Sequence, residues 1–390
     1  MSSDTLPLNK NRHFALSIMG GAIILAAFLL SMSDGNNAWL FVVALLMGVS
    51  LYHASFGFSA AYRNLFRKGD TRGVDGQIVL LAVTMILFGP VLMKGEMFGQ
   101  SLGGAIAPVG IGMAFGAFLF GIGMQLGGAC ASGTLYTAGS GNPRMMLVLV
   151  FFCIGAFWGS LDLGWWQELP GIGAVSLADK WGWEVVFPSQ LGVLLLLYAG
   201  LHVLRRKRQK RRPQSSEQPL FKRLIQGPWP LIWGGISLGF LNLVTLLSAG
   251  HPWSITWGFT LWGAKAATLL GWNPMTSDFW ASGFQQQALQ QYLWQDTTSV
   301  MNFGILCGAT LAMLLAGRKA AAMSRKWRPI AAAILGGLML GYGARIAYGC
   351  NIGAFISGAA STSLHGWVWI LCALPGNWLG MHLRRPFQLD

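Results

Sequence analysis

The chain has 390 residues, of which 54% are hydrophobic and only 10% are charged. An average soluble domain has about 25% charged residues, so this composition excludes a typical water-soluble protein and predicts a polytopic membrane protein. A net charge of +14 would indicate a nucleic-acid partner on a soluble chain, but on a membrane protein it marks the cytoplasmic loops, and we expect no nucleic acid.

Apolar stretches that approach the roughly 20 residues of a membrane span follow one another along the chain. They are Phe14–Met32, Ala38–Phe58, Ile78–Met93, Ala105–Gly123, Met145–Leu161, Val185–Leu204, Leu231–Ser248, Ile255–Leu270, Val300–Ala316, Ile330–Ala347 and His365–His382. Some are short, and we expect about nine to eleven of them to cross the lipid bilayer fully. The first is longer than the apolar run of a signal peptide and no A-x-A site follows it, which favours a retained helix.

Basic residues concentrate in alternate connecting segments. They lie in 63–72, in 205–223, in 318–328 and at 384–385, whereas segments 162–184 and 271–299 are mainly acidic. Lys and Arg favour the cytoplasmic side of a membrane. The basic segments and both termini are therefore predicted to face the cytoplasm, and the protein is predicted to lie in the inner (plasma) membrane.

The longest basic run divides the chain into two apolar halves. We predict a first membrane half at 1–204, a basic cytoplasmic linker at 205–226 and a second membrane half at 227–390. A patch that binds anionic lipid or nucleic acid is the alternative interpretation of the linker. A linker that fixes the topology is the simpler one, and we favour it.

The two halves resemble each other around one cysteine each. Phe120–Gly133 aligns with Leu340–Gly353 at an offset of 220 residues, which places Cys130 on Cys350 and three glycines on three glycines. The charge pattern predicts that the helix before Cys130 runs inward and the helix before Cys350 runs outward. Equivalent helices of opposite direction define an inverted-topology repeat. We therefore predict an all-α fold of two inverted halves, with cores at about 40–160 and 250–385 and short re-entrant helices around both cysteines.

Small residues surround both cysteines and favour a break in the helix, because glycine costs about 1 kcal/mol in a helix interior relative to alanine. A broken helix at membrane depth is tolerated only where it faces protein or a water-filled cavity. The N-terminal end of the next helix then favours an anion. The predicted substrate-pathway residues at these breaks are Gly128, Ala129, Cys130, Ser132, Gly133, Gly349, Cys350, Asn351 and Gly353.

The thiols indicate what kind of anion would bind. A thiol is a weak donor with a soft, polarizable sulfur, so it favours a substrate with its own soft sulfur or selenium. Cys153, Cys307 and Cys372 lie inside apolar runs and are interpreted as packing residues. The chain has no CxxC, Walker or HExxH motif, so we expect neither an enzyme nor a bound cofactor or metal.

Three further polar residues within or beside the apolar stretches are candidates for the pathway. Arg345 and Lys265 lie inside predicted spans, where a charge is functional by default. The alternative for Arg345 is a paired or snorkelling side chain. His53 is a candidate charge near the pathway, although polar packing is the interpretation that we favour for it.

The residues around the two cysteines resemble the paired Gly-Gly-Cys motifs of YeeE/YedE-like membrane proteins. The matching segments are Leu126–Tyr136 and Ala347–Phe355. Phe56–Asn64 resembles the first motif of that family, an Arg-Phe-Cys…Phe-Arg-Asp segment, and Ser363–Trp367 also fits. The resemblance implies an inverted repeat with re-entrant helices, a row of pathway cysteines and uptake of sulfur compounds. In that family the compound is thiosulfate in particular, and selenium in some members.

Two departures from the family motif bear on the substrate more than on the fold. This chain has Gly57 where the first motif has cysteine, and Ser55 where the family commonly has arginine. Gly57 is therefore a pathway position without its thiol, and His53 or Lys265 is a candidate source of the missing charge.

Together these features predict a permease for a small sulfur-containing anion, thiosulfate-like, that passes between Cys130 and Cys350 without covalent chemistry. A membrane thiol or persulfide carrier, a thiol oxidoreductase and a selenium-compound transporter are the alternatives. A cytoplasmic sulfurtransferase or sulfur-carrier protein is a candidate partner that would receive the substrate.

Overall fold

The computed structural model describes residue 21 and residues 35–208, 219–318 and 326–389. Apart from Gly21, the predicted span Phe14–Met32 lies outside the described residues, as do residues 209–218 of the predicted linker and the basic residues of 319–325.

Helices make up most of the regular structure in these ranges, which confirms the all-α fold class. In the first half they are α1 (Gly35–His53), α2 (Phe58–Lys68), α3 (Arg72–Lys94), α4 (Ile111–Gly127), α5 (Ala131–Gly139), α6 (Pro143–Leu161), α7 (Leu163–Glu168), α8 (Leu177–Trp181) and α9 (Trp183–Arg208). They continue as α10 (Leu220–Gln226), α11 (Leu231–Ala249), α12 (Thr256–Leu269), a 3₁₀ turn (Pro274–Thr276), α13 (Gly283–Gln290), α14 (Thr297–Leu315), α15 (Trp327–Ile346), a π-helix (Asn351–Ile356), α16 (Ser357–Ala360) and α17 (Leu364–Leu383).

Four very short strands lie between the helices of the first half and form two antiparallel pairs. Strand β1 (Glu96–Met97) pairs with β2 (Gln100–Ser101), and β3 (Pro108–Gly110) pairs with β4 (Gly171–Ala174). In the second pair Pro108 lies opposite Ala174. These pairs stabilise connections at one end of the bundle.

The protein is a multi-pass membrane protein, since eight helical segments in the described ranges are long and apolar enough to cross a bilayer. They are Gly35–Lys68, Arg72–Lys94, Ile111–Gly139, Pro143–Leu161, Trp183–Val203, Leu231–Ala249, Thr297–Leu315 and Trp327–Ala360. By contrast, α12 covers the predicted span Ile255–Leu270 with only 14 residues. A helix of this length measures about 21 Å, less than the roughly 30 Å of hydrocarbon, so this stretch is a short helix.

The two ends of the bundle differ in charge. At the basic end, Arg318 lies over Tyr52 at the end of α1, and Arg384 donates a hydrogen bond to Gln125 near the end of α4. At the acidic end, the Tyr342 hydroxyl donates to Asp162, which follows α6. The basic end is the one predicted to face the cytoplasm.

The helices of the two halves pack in matching pairs. Helix α1 lies along α14 and α3 along α11, while α6 lies along α15 and α17 along α4. In each of these pairs the two helices run in the same direction. By contrast, α4 and α15, which the 220-residue offset makes equivalent, run in opposite directions, since Gly116 of α4 approaches Gly343 of α15 and Gly123 approaches Leu340. This pattern is expected of an inverted repeat, and the two-fold relation itself stays a prediction.

A buried aromatic cluster lies between the halves, in the same core that contains both Cys130 and Cys350. Phe120 contacts Phe152 and Trp369 edge to face, with ring centroids 6.3 and 5.4 Å apart. Phe152 in turn contacts Phe259 at 4.9 Å. These rings fix the positions of α4, α6, α12 and α17 around the cysteines.

Candidate functional site

The first cysteine follows a break between α4 and α5. Helix α4 ends at Gly127, and Gly128 adopts a left-handed conformation with φ of 99° that favours glycine. Ala129, which is half-buried, connects this turn to Cys130. Helix α5 then has only nine residues, about 13 Å, so it cannot cross a membrane.

Cys130 is the N-cap residue of α5. Its sulfur accepts a hydrogen bond from the Gly133 N–H at 3.4 Å and lies 3.4 Å from the Ser132 hydroxyl. The thiol therefore occupies the position in which an N-cap side chain normally satisfies the free amides of a helix start. Any anion that binds here meets the same partial positive charge.

The second cysteine follows a similar break after α15. Tyr348 has a φ of 57° and Gly349 a φ of 150°, so the chain turns sharply before Cys350. The Cys350 carbonyl accepts from the N–H groups of Ala354 at 2.8 Å and Phe355 at 3.3 Å. This pattern opens the π-helix, a conformation that is frequent at functional sites.

The residues after Cys350 complete this break. The Cys350 thiol lies near the amide of Gly353, and a Cβ on Gly353 would lie 3.9 Å from the Ser254 hydroxyl. The side chain of Asn351 is fully buried. Neither of its amide atoms has a hydrogen-bond partner within the described ranges.

The structure brings the two cysteines together. Both are 1% exposed, and they are close enough for their side chains to interact electrostatically. All five cysteines of the chain lie in described ranges, and none of them forms a disulfide. The arrangement is thus a pair of buried free thiols, each at the start of a short helical segment.

Tyr62 belongs to this site and was missed in the sequence. It lies on α2, and its hydroxyl faces the Cys130 thiol and the Asn351 side chain. The available signal was one tyrosine on a mixed helix that also contains Ser59 and Arg63, within the segment that resembles the first family motif. That signal is too weak to be distinguished from ordinary packing.

Gly57 lies at the start of the same helix. It is the N-cap residue of α2, with an extended φ of −143°. A Cβ there would meet only the Ser55 carbonyl oxygen, at 4.0 Å. The position therefore has room for a side chain, and it is equivalent in its local geometry to Cys130 and Cys350.

His53 and Lys265 make contacts elsewhere. The His53 carbonyl accepts from the Trp229 N–H at 2.8 Å, and its ring lies 5.5 Å from the Trp229 ring at the basic end. Lys265 donates to the carbonyls of Leu289 at 2.8 Å and Gln291 at 2.5 Å. Its ammonium group therefore caps the C-terminal end of α13, where a positive charge is favourable.

Arg345 lies on α15, five residues before Cys350. Its guanidinium lies 4.7 Å from the ring centroid of Phe279, and its Nε has no partner in the part of the chain that the structure describes. Phe279 also lines a cavity of about 450 Å³ at the acidic end, together with Ser160, Gln167 and Asp278. A buried guanidinium next to a polar cavity is suited to attract an anion.

The region of this chain that matches known proteins includes all of these residues. A sequence profile described as sulphur transport matches residues 53–379. The thiosulfate transporter TsuA of Spirochaeta thermophila is 27% identical over 350 residues, which cover 86% of this chain and 96% of that protein. The thiosulfate transporter TsuA of Escherichia coli is 23% identical over 349 residues, covering 85% of this chain and 90% of that protein. The probable transporter YedE of Escherichia coli is 32% identical over 152 residues, which cover 39% of this chain and 37% of that protein.

Proposed function

Because this chain belongs to the sulphur transport family, we propose that it is an inner-membrane permease for a small sulfur-containing anion of the thiosulfate type. Its family makes it a multi-pass transporter of sulfur compounds rather than an enzyme. The observation that supports the finer proposal is the meeting of Cys130 and Cys350, both buried and each at the start of a short helical segment.

The chemistry of the two thiols fits one end of thiosulfate. The terminal sulfur of that anion is large and polarizable, and a thiol is a soft partner that can donate a weak S–H hydrogen bond to it. The helix start behind each thiol adds a partial positive charge. A substrate anion can therefore move from one thiol to the other through non-covalent contacts.

The placement of the other residues supports an order along the pathway. The anion would first meet the cavity beside Phe279 and the guanidinium of Arg345, then Cys350, and then Cys130. It would leave past Gly57 at the start of α2, towards the basic end. His53 and Lys265 are left out of this proposed order, since their described contacts are with Trp229 and with α13.

A thiol carrier or oxidoreductase is the competing function. Such chemistry requires accessible, low-pKa thiolates or a disulfide. The 1% exposure of both cysteines and the absence of a disulfide among all five favour non-covalent transport. Thiol mass analysis before and after substrate distinguishes the two: we expect unchanged masses, whereas a gain of one sulfur atom would show a persulfide.

The test is sulfur-limited growth of a transport-deficient bacterium that expresses this chain, with thiosulfate as the only sulfur source. We expect growth with the wild type. Cys130→Ala and Cys350→Ala should each lower thiosulfate uptake about tenfold or more, because each removes a direct contact with a charged ligand. Cys307→Ala is the matched control, since Cys307 packs in a separate cluster with Ala38 and Val300.

The other possible outcomes each bear on a separate part of the proposal. Wild-type uptake in both single variants would contradict the role of the cysteines. No growth with correctly inserted wild type would contradict thiosulfate as the substrate, and selenium analogues and persulfides would be tested next. Growth that depends on a co-expressed sulfurtransferase would identify the cytoplasmic partner.

A further inference from the structure

Two buried polar side chains next to the thiols lack the hydrogen bonds that such groups usually make. Tyr62 is 3% exposed and Asn351 is fully buried. Within the described ranges, neither the Tyr62 hydroxyl nor the two amide atoms of Asn351 have a hydrogen-bond partner. The hydroxyl nevertheless faces both Asn351 and the Cys130 thiol, so the unsatisfied groups converge on one place.

Unsatisfied groups of this kind need an explanation. Most buried polar groups in native proteins are hydrogen-bonded, and an unpaired one lowers the stability of the fold. Tyr62 and Asn351 come from different halves of the chain, and the Tyr62 hydroxyl lies near both the Asn351 side chain and the Cys130 thiol. Their convergence indicates a place where a polar ligand accepts hydrogen bonds from the Tyr62 hydroxyl and the Asn351 amide N–H.

We propose that Tyr62 and Asn351 bind the oxygen atoms of the transported anion while Cys130 and Cys350 contact its sulfur. This inference rests on the proposed function and deepens it. A phenolic O–H and an amide N–H are good donors to oxyanion oxygens, whereas thiols are weak donors that suit a soft sulfur. The site thus recognises both ends of an anion that has a sulfonate group at one end and a bare sulfur at the other.

The segment Phe56–Asn64, which contains Tyr62, differs from the family motif at three positions. It has glycine at position 57, where the motif has cysteine, tyrosine at position 62, where the motif has phenylalanine, and asparagine at position 64, where the motif has aspartate. A hydroxyl group is therefore gained on the same helix on which a thiol is lost. The substitution Tyr62→Phe restores the motif residue and retains the ring that packs against Phe58, 6.3 Å away.

The experiment uses the full chain, purified in detergent, and measures thermal unfolding with and without saturating thiosulfate. The variants are Tyr62→Phe and Asn351→Ala. Tyr198→Phe is the matched control, because Tyr198 is 40% exposed on α9. Thiosulfate uptake by cells that express each variant gives the KM for transport.

We expect Tyr62→Phe to unfold, without ligand, at the wild-type temperature or above it, since the change removes an unpaired buried hydroxyl. Its stabilisation by thiosulfate should be smaller than that of the wild type, and its KM should rise about tenfold, the loss typical of a hydrogen bond to a charged group. Asn351→Ala should also raise KM, whereas Tyr198→Phe should leave both KM and the stabilisation by thiosulfate unchanged.

Three results would overturn the inference. A lower unfolding temperature of ligand-free Tyr62→Phe, with unchanged stabilisation by thiosulfate, would show a structural role. A wild-type KM in both Tyr62→Phe and Asn351→Ala, in a protein that needs its cysteines, would refute oxygen binding and leave the proposed function intact. If thiosulfate did not stabilise the wild-type protein and cells expressing it did not take up thiosulfate, both this inference and the proposed function would be refuted.

Discussion

The two glycines nearest the thiols impose different requirements on the backbone. Gly128 has a left-handed φ of 99°, and a Cβ there would lie 3.2 Å from the Arg144 guanidinium. Gly57 is extended, and a Cβ there would meet only the Ser55 carbonyl at 4.0 Å. Position 128 therefore requires glycine to form the turn, whereas position 57 accepts any small side chain.

This difference makes Gly57→Cys a test of the pathway. We expect the free energy of unfolding of this variant to lie within about 0.5 kcal/mol of the wild-type value, because substitutions without new clashes usually have small effects. The third thiol should raise the rate of uptake from dilute thiosulfate. Gly57→Ala is the control for added bulk and should leave this rate unchanged. Equal rates in Gly57→Cys and Gly57→Ala would mean that the substrate does not pass position 57.

At the scale of elements, the site depends on helices that end early and pack closely. Helix α4 ends at Gly127 and α15 at Ile346, which leaves both cysteines within the bundle. The two helices approach through glycines, because small residues let membrane helices come into backbone contact. A Cβ on Gly336 would lie 2.6 Å from the Gly127 Cα atom, closer than any real packing contact.

We therefore predict that Gly336→Ala separates α4 from α15. Forcing a methyl group into a filled interface costs about 1–3 kcal/mol, which should lower the unfolding temperature of the purified protein. Thiosulfate uptake should fall as well, since the turn at Gly127 and Gly128 holds Cys130. Gly192→Ala on α9 is the control, because a Cβ there has no neighbour within 4 Å in the described structure. Equal unfolding temperatures for the two variants would contradict the predicted clash.

The sequence predicts the helices and the two cysteine breaks because these depend on local patterns. Apolar runs, glycine clusters and the 220-residue offset are all visible in the chain itself. The partners of Lys265 are not visible, because carbonyl oxygens such as those of Leu289 and Gln291 have no sequence pattern. The apolar stretch Ile255–Leu270, by contrast, agrees with α12 (Thr256–Leu269) to within one residue at each end. Helix bounds of this kind follow from the apolar run itself.

At the scale of the whole molecule, charge divides the two ends of the bundle. The described arginines at positions 144, 318 and 384 lie at one end, and Asp162 and Asp296 lie at the other. This asymmetry is the basis for placing the basic end in the cytoplasm. The cavity beside Phe279 would then open to the outside.

Cysteine labelling checks this orientation. Ile172, on β4 at the acidic end, is 67% exposed, and Phe221, on α10 at the basic end, is 75% exposed. In intact spheroplasts, a membrane-impermeant maleimide should label Ile172→Cys and leave Phe221→Cys unlabelled. Disruption of the membrane should make Phe221→Cys reactive. The reverse labelling pattern would show that the protein has the opposite orientation. Wild-type protein is the control for labelling of the five native cysteines.

The enclosure of Cys130 and Cys350 by helices from both halves also protects their thiols from oxidation. Peroxides and the disulfides of other molecules react with accessible thiolates, whereas Cys130 and Cys350 are each only 1% exposed. An exposed cysteine facing an oxidising compartment is lost to sulfenic acid or mixed disulfides. Enclosed thiols escape that damage, so the two cysteines of this sulfur-compound transporter should stay reduced under oxidative stress.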